Sequence, residues 1–150
     1  MPTKQSRVVP SNLFARAARG RLRYAAATLL VGAAPAAPLP PDTLVLAVAS
    51  WCAPCRGELA RLDEIVAAAG ATEVRVLPID RSAATAAMLR GIDPRRIWRS
   101  AAAADAVLAE TGGLPFSVMT DNRGRRCAAH ARPLDAAAVR AMRARCRAAS

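Results

Sequence analysis

The sequence predicts an α/β fold with the element order β-α-β-α-β-β-α around a central mixed sheet. Three observations carry this. Two short apolar runs with β-branched members are separated by a segment whose apolar residues keep helical spacing. A helix between the early strands calls for parallel pairing. Late in the chain, "DNRG" joins two further apolar runs and reads as a hairpin, which adds antiparallel strands.

The elements follow in order. "TLVLAVA", residues 43–49, is short, apolar and partly β-branched, so it predicts a buried strand. In "CRGELARLDEIVAAAG", Leu59, Leu62, Ile65, Val66 and Ala69 keep helical spacing and Gly70 is a stop, so a helix is expected. "EVRVLPI", residues 73–79, predicts the second strand. Pro78 has no N–H to give a ladder, which puts this strand's end near the sheet edge. "SAATAAMLRG" predicts a short helix, and "DPRRIW" another that starts with Asp93 as cap and Pro94 in first place. "SAAAADAVLAETGG" runs from a Ser100 cap to a stop at Gly112 and Gly113. "PFSVMT" and "RRCAAH" flank the turn at residues 121–124. The last helix, "LDAAAVRAMRARC", carries Val139, Met142 and Cys146 on one stripe.

A length of 150 residues predicts one folded domain. Residues 1–41 read as a signal peptide and proline-rich linker, and residues 42–150 as the domain. Hydrophobic content is 53%, but much of it is alanine and aromatics are 3%, so the core must rest on Leu, Val and Ile. The net charge of +11 suggests nucleic acid until its distribution is considered. Lys4, Arg7, Arg16, Arg19, Arg21 and Arg23 precede the first acid, Asp42. Removing these six of 22 basic residues leaves 16 against 11 acidic, or +5, an ordinary charge for a soluble domain. With few aromatics to interleave, nucleic acid is not expected as a partner.

The leader has a basic part ending at Arg23, an apolar part at residues 24–34, and small residues with prolines at 35–41. The apolar part is shorter than the ~20 residues of a spanning helix. A periplasmic or otherwise exported protein is expected. The other reading is a basic arm on a cytosolic protein.

Four cysteines fall as Cys52/Cys55 and Cys127/Cys146. A structural zinc site needs four ligands, and one CxxC, the single His130 and two widely spaced cysteines supply no such set, so no metal is expected. A purely structural Cys52–Cys55 bridge would close a tiny loop and gain little. A redox centre fits the placement better. Cys52 follows a strand at a helix start, where free N–H groups and the helix dipole favour a thiolate nucleophile. Pro54 sits in the first turn without loss of a hydrogen bond. Cys55, one turn further in, would be more buried and would resolve the mixed disulfide. Trp51 either covers one side of this site or packs as an ordinary tryptophan. Cys127 shares a strand face with Ala129, and Cys146 shares the stripe of Val139 and Met142. Both fit one helix–sheet interface, either as a structural disulfide or as two buried free thiols. His130 has no partner at a telling spacing and reads as a surface or strand-end residue.

"WCAPC" after a strand, followed by "GGLPFSVMTDNRGR", resembles the thioredoxin superfamily, and within it the exported TlpA/ResA-like thiol–disulfide oxidoreductases. The resemblance covers residues 43–146. "CRGE" matches the family's habit of a basic residue and then a glutamate after the second cysteine. The resemblance implies a thioredoxin-like fold, and makes Pro115 the family's cis-proline, facing the CxxC and presenting the Leu114 backbone beside Cys52 to an extended substrate. The other reading of Pro115 is a trans proline that merely starts a strand; Gly112–Gly113 and the strand that follows favour the first. Three departures stand out. Leu46 occupies the place, six residues before the first cysteine, where thioredoxin itself has a buried carboxylate. Proton handling for Cys55 then falls to solvent or another group; Glu58 is the nearest acid in sequence, and reads as a solvated helix residue. "HARPL" lacks a glycine common in the family's last strand. Only a proline-rich linker precedes the first core strand, which implies a minimal version of the fold.

The expected function is an exported thiol–disulfide oxidoreductase, a reductase by family analogy. Cys52, Cys55 and Pro115 would be catalytic, and Trp51 and Leu114 would bind substrate. No cofactor is expected. The implied partners are cysteine-containing exported proteins, haem-protein thiols in cytochrome c maturation among them, and a membrane electron donor. Membrane contact would come only through a signal left uncleaved as an anchor. The alternative is a thioredoxin-like metallochaperone holding Cu(I) on the same cysteine pair, since soft thiolates select it. Met119 would join such a site only if it points there.

Overall fold

The structure, a computed structural model, describes residues 39–149. The expected signal peptide and most of the proline-rich linker lie outside the described residues. The strands are β1 (Thr43–Val48), β2 (Glu73–Pro78), β3 (Phe116–Thr120) and β4 (Arg126–His130). The helices are α1 (Ala53–Ala60), α2 (Leu62–Ala69), α3 (Ala83–Met88), α4 (Ala101–Glu110) and α5 (Ala136–Ala148). Short 3-10 turns occupy Leu89–Gly91 and Pro94–Arg96.

The sheet order is β2-β1-β3-β4. β1 pairs parallel with β2, from Thr43 opposite Glu73 to Val48 opposite Pro78. It pairs antiparallel with β3, Leu44 opposite Met119 and Ala47 opposite Phe116. The hairpin completes the sheet through β3 and β4. β1 is buried at all six positions, as an apolar strand covered on both faces should be. β2 is an edge strand and ends on Pro78, where a missing N–H costs no ladder bond.

Side-chain alternation along β1 divides the core. Leu44, Leu46 and Val48 pack with Cys55, Ile65, Ala69, Val139 and Met142 from α1, α2 and α5. Val45 and Ala47 pack on the other face with Leu77, Phe116, Val118 and the α4 residues Ala103, Ala104 and Val107. Ser82, Ser100 and Asp135 cap α3, α4 and α5 by accepting N–H groups of the first turn.

Three local outcomes differ from the sequence pattern. The single helix expected over "CRGELARLDEIVAAAG" is two, broken at Arg61, where φ is −109° and ψ is 19°. The Arg61 N–H bonds Glu58 O three residues back, at 3.0 Å. Both sides of the break are tied to one loop residue. Glu58 Oε1 accepts Leu134 N–H at 2.7 Å, and Arg61 Nη2 reaches Leu134 O at 3.4 Å. Local periodicity cannot reveal such a tertiary tie. The expected helix at "DPRRIW" is one 3-10 turn, because the chain straightens after it. Ile97 bridges Val76, and Trp98 N–H bonds Val76 O at 2.9 Å, covering the outer edge of β2. The packed body also includes Leu39 to Pro41, read from sequence as linker. Leu39 is buried in the α4-side core, and the carbonyls of Pro40 and Pro41 accept the hydroxyls of Thr120 and Thr43.

Candidate active site

The turn between β1 and α1 is held from three directions. Cys52 N–H bonds Ala49 O at 3.1 Å. Ser50 N–H bonds the buried Thr85 hydroxyl at 2.8 Å, and Ser50 O accepts Arg56 Nε and Nη2 at 3.1 and 2.6 Å. Arg56 is the basic residue of "CRGE", and its work is to close this turn. Trp51 projects from the turn at 65% exposure. Its side chain bonds the Asp80 carboxyl. Desolvation raises Asp80, but hydrogen bonds from Ser82, Thr85 and Trp51 outweigh it and hold the group below the usual carboxylate range. Trp51 is therefore neither a core residue nor free, but a surface ring tethered beside the cysteines.

Cys52 is the N-cap of α1 and is disulfide-bonded to Cys55. Its Sγ accepts the Cys55 N–H at 3.2 Å. When the bond opens, that N–H and the helix dipole remain aimed at the Cys52 sulfur and stabilise a thiolate there. Cys55 is fully buried, and its Sγ lies 3.8 Å from Ala47 O, a carbonyl open to its reduced thiol. A redox pair at a helix start is expected to be exposed for exchange. Cys52 is in fact only 3% exposed, because it packs into the α1-side core while Trp51 takes the solvent position.

Glu58 corrects a second expectation. It is not solvated on the helix surface but fully buried, one turn beyond Cys55 on α1. Burial pushes its carboxyl up from 4.5 to about 7, against smaller lowering effects of the Leu134 hydrogen bond and the Arg61 charge. Oε2 has no hydrogen-bond partner. The tie to Leu134 was missed, although a signal existed. Leu134 directly precedes the Asp135 cap and Val139 is the fourth residue of α5, and an apolar pair at those places commonly fixes how a chain enters a helix.

Pro115 is buried, and the Leu114–Pro115 bond is cis. The segment leads into Phe116, which pairs with Ala47, the residue whose carbonyl faces Cys55. Leu114 packs against both halves of the core. Leu46 is fully buried and opposite Ser117. Cys127 and Cys146 form a second disulfide with a Cα–Cα distance of 4.8 Å, joining β4 to α5. Met119 is buried; its carbonyl lies 3.3 Å from Cys127 Sγ, and it lines a cavity with Cys146. It therefore belongs to the second disulfide's end of the sheet. His130 ends β4 opposite Ser117 and is half-buried. Among the described residues, no cluster of three or more His, Cys, Asp or Glu could hold a metal, and no helix is long and apolar enough to cross a membrane.

No family model and no curated protein matches the sequence. Solved structures do match the fold. The Chlorobium tepidum protein assigned as thiol:disulfide interchange protein DsbE aligns with a TM-score of 0.52 at 21% identity, over 71% of this chain and 78% of its own. A DsbF homologue from Corynebacterium diphtheriae gives 0.51 at 25%, over 69% and 72%. The fold is thioredoxin-like. StoA from Bacillus subtilis has the same thioredoxin-like core, at a TM-score of 0.50 and 14% identity over 67% and 81%. On this fold, a capping cysteine bonded to a buried one is equipped for thiol–disulfide exchange.

Proposed function

We propose that this protein is an exported thiol–disulfide oxidoreductase that works as a reductase on cysteine-containing exported proteins. One observation carries the reading. The Cys52–Cys55 bond sits at the N-terminus of α1, with the Glu58 carboxyl, at about 7, one turn behind it.

In the reduced protein the Cys52 thiolate attacks a substrate disulfide. A Cys52–substrate bond forms, the substrate S–S bond breaks, and its second sulfur leaves as a thiolate. Cys55 then loses its proton and attacks Cys52. The Cys52–Cys55 bond forms and the substrate's first sulfur leaves. A carboxyl near 7 is matched to accept the Cys55 proton at neutral pH. The substrate ends as a dithiol, and a membrane electron donor would restore Cys52 and Cys55 by the reverse exchange. Trp51, next to Cys52 in the chain, and the cis Leu114–Pro115 segment would form the surface that receives the substrate. A cleft of about 620 Å³ shares Asp80 and Thr85 with the active-site turn and gives a flanking polypeptide a place to lie. Haem-protein thiols in cytochrome c maturation are the substrate class that the family resemblance favours, and the leader's three-part pattern supports export.

The test is trapping. A Cys55→Ser variant expressed in the source cell should accumulate exported proteins disulfide-linked to Cys52, which peptide mapping identifies. A variant that collects no protein adduct, from a wild type that reduces no model disulfide, refutes the proposal. The Cu(I) alternative is separated by titrating the reduced protein with Cu(I) and asking whether disulfide reduction or metal retention is the stronger activity.

A further inference from the structure

Four side chains among the described residues have a buried polar atom without a hydrogen-bond partner, and two of them, Arg75 and Arg126, are ion-paired to Glu73 and Glu110. The other two atoms are Glu58 Oε2 and Ser117 Oγ. Orphaned oxygens this deep are uncommon in folded proteins, and each calls for a reason.

The strand register and the helix put both on the Cys55 side of the sheet. Ser117 is 1% exposed and lies between Phe116 and Val118, which both belong to the α4-side core. Alternation turns its side chain to the opposite face, the face of Leu46, Met119 and Cys55. Ser117 stands directly opposite Leu46, with facing Cα atoms about 4.5–5.5 Å apart in such pairs. Cys55 Sγ rests 3.8 Å from the carbonyl of Ala47, the next residue along. Glu58 is one turn from Cys55 on α1. The sheet face on which Cys55 packs thus carries an orphan hydroxyl, and its own helix carries an orphan carboxyl oxygen one turn on. Leu46 offers no proton acceptor.

We infer that Ser117 is a positioning residue for the resolving step: its hydroxyl and Glu58 Oε2 hold one water against Cys55 Sγ, and the Cys55 proton leaves through it. The inference rests on the thiol–disulfide reading above. Three partners are the usual complement of a buried water. The Cys55 thiol gives its proton to the water, which passes one of its own to Glu58 Oε2. The Cys55 thiolate attacks Cys52 Sγ; that S–S bond forms while the Cys52–substrate bond breaks, and the departing substrate thiolate is protonated by solvent. No other oxidant or reductant enters. Arg61, which reaches Leu134 O, Asp135, which follows Leu134, and His130, which pairs with Ser117, are the other charged or titratable groups beside these two side chains.

The test follows the resolving step directly. The reduced protein is mixed with an aryl disulfide that releases thionitrobenzoate, first when Cys52 attacks and again when Cys55 resolves. Stopped-flow traces of the second release are compared for wild type, Ser117→Ala and Ser117→Thr, from roughly pH 6 to 9. Ser117→Ala should resolve about tenfold slower near neutrality, the effect of one lost hydrogen bond. The gap should close near pH 9, where an ordinary thiol ionises unaided. Ser117→Thr should restore the rate. If Ser117→Ala does not fold, Ser117→Val against Ser117→Thr gives the same comparison at matched shape. Equal rates at every pH, or a deficit constant across the range, overturn the role of Ser117 alone. A wild type with no second release overturns this role and the thiol–disulfide reading together.

Discussion

Glu58 Oε1 accepts the backbone N–H of Leu134 at 2.7 Å, joining the redox helix to the entrance of the last helix through a buried titratable group. Burial raises this carboxyl to about 7, well above its value in an unfolded chain. The folded protein therefore binds the proton more tightly than the unfolded chain does. The stability this contributes is full below about pH 4.5 and is lost as pH rises through about 7. The shift corresponds to something on the order of 3 kcal/mol. Glu58→Gln keeps an oxygen for Leu134 N–H but cannot ionise. Urea midpoints should fall from pH 5 to pH 8 in wild type and stay much flatter in the variant. An undiminished slope in Glu58→Gln would assign the pH dependence elsewhere.

The capping position of Cys52 sets the order of reactivity. In reduced protein, iodoacetamide at neutral pH should modify Cys52 before Cys55, because Cys52 takes the helix N–H and Cys55 is fully buried. Cys52→Ser should abolish disulfide reduction, whereas Cys55→Ser should stall as a mixed disulfide visible by intact mass. Faster alkylation of Cys55 would reverse the two roles.

Much of this site was legible because local rules write it. A strand, a cysteine at a helix start and a proline in the first turn are sequence neighbours with local physics, and the same holds for the Ser82, Ser100 and Asp135 caps. What local pattern could not give is how distant residues meet. Glu58 looks like any polar residue of an exposed helix until Leu134, 76 residues later, supplies its donor. The break at Arg61 has the same origin, since the helical spacing runs straight through it. The exposure of Cys52 was misjudged because pattern cannot show that Trp51 takes the outward place. Ser117 in "PFSVMT" reads as one polar residue of a strand, and only the register against Leu46 turns it to the sheet face on which Cys55 packs.

The hairpin turn should be intolerant at Gly124. Its φ is +74°, and an added Cβ would stand 2.7 Å from Leu39 O, a backbone atom that cannot swing away. Asp121 fixes the turn by accepting the N–H groups of Arg123 and Arg125, both at 2.9 Å. Gly124→Ala should cost about 2 kcal/mol, from backbone conformation and the close contact together. Gly124→Asn tolerates the positive φ better but meets the same carbonyl, so it should be nearly as unstable. Urea unfolding of the two variants decides this: full recovery in Gly124→Asn would leave the Leu39 contact without effect.

The second disulfide should act as a staple and open later than the first. Cys127–Cys146 closes a loop with a sequence separation of 19, linking β4 to α5. Replacing both cysteines by alanine should cost about 3 kcal/mol on the chain-entropy account, seen as a lower urea midpoint with disulfide exchange at Cys52 retained. Exposure alone would predict the opposite order of opening, since Cys127 is half-buried while Cys52 is 3% exposed. The leaving group decides instead. Reductant attack on the Cys52–Cys55 bond can release or retain a sulfur stabilised by the N-terminus of α1, and lower thiol basicity speeds departure. Cys127 lies on a strand, and Cys146 lies in the last turn of α5, the helix end whose dipole disfavours a thiolate. Under graded reductant with alkylation quench, Cys52 and Cys55 should therefore be labelled at lower concentrations than Cys127 and Cys146. Labelling of Cys127 and Cys146 first would show that access outweighs thiolate stabilisation in this fold.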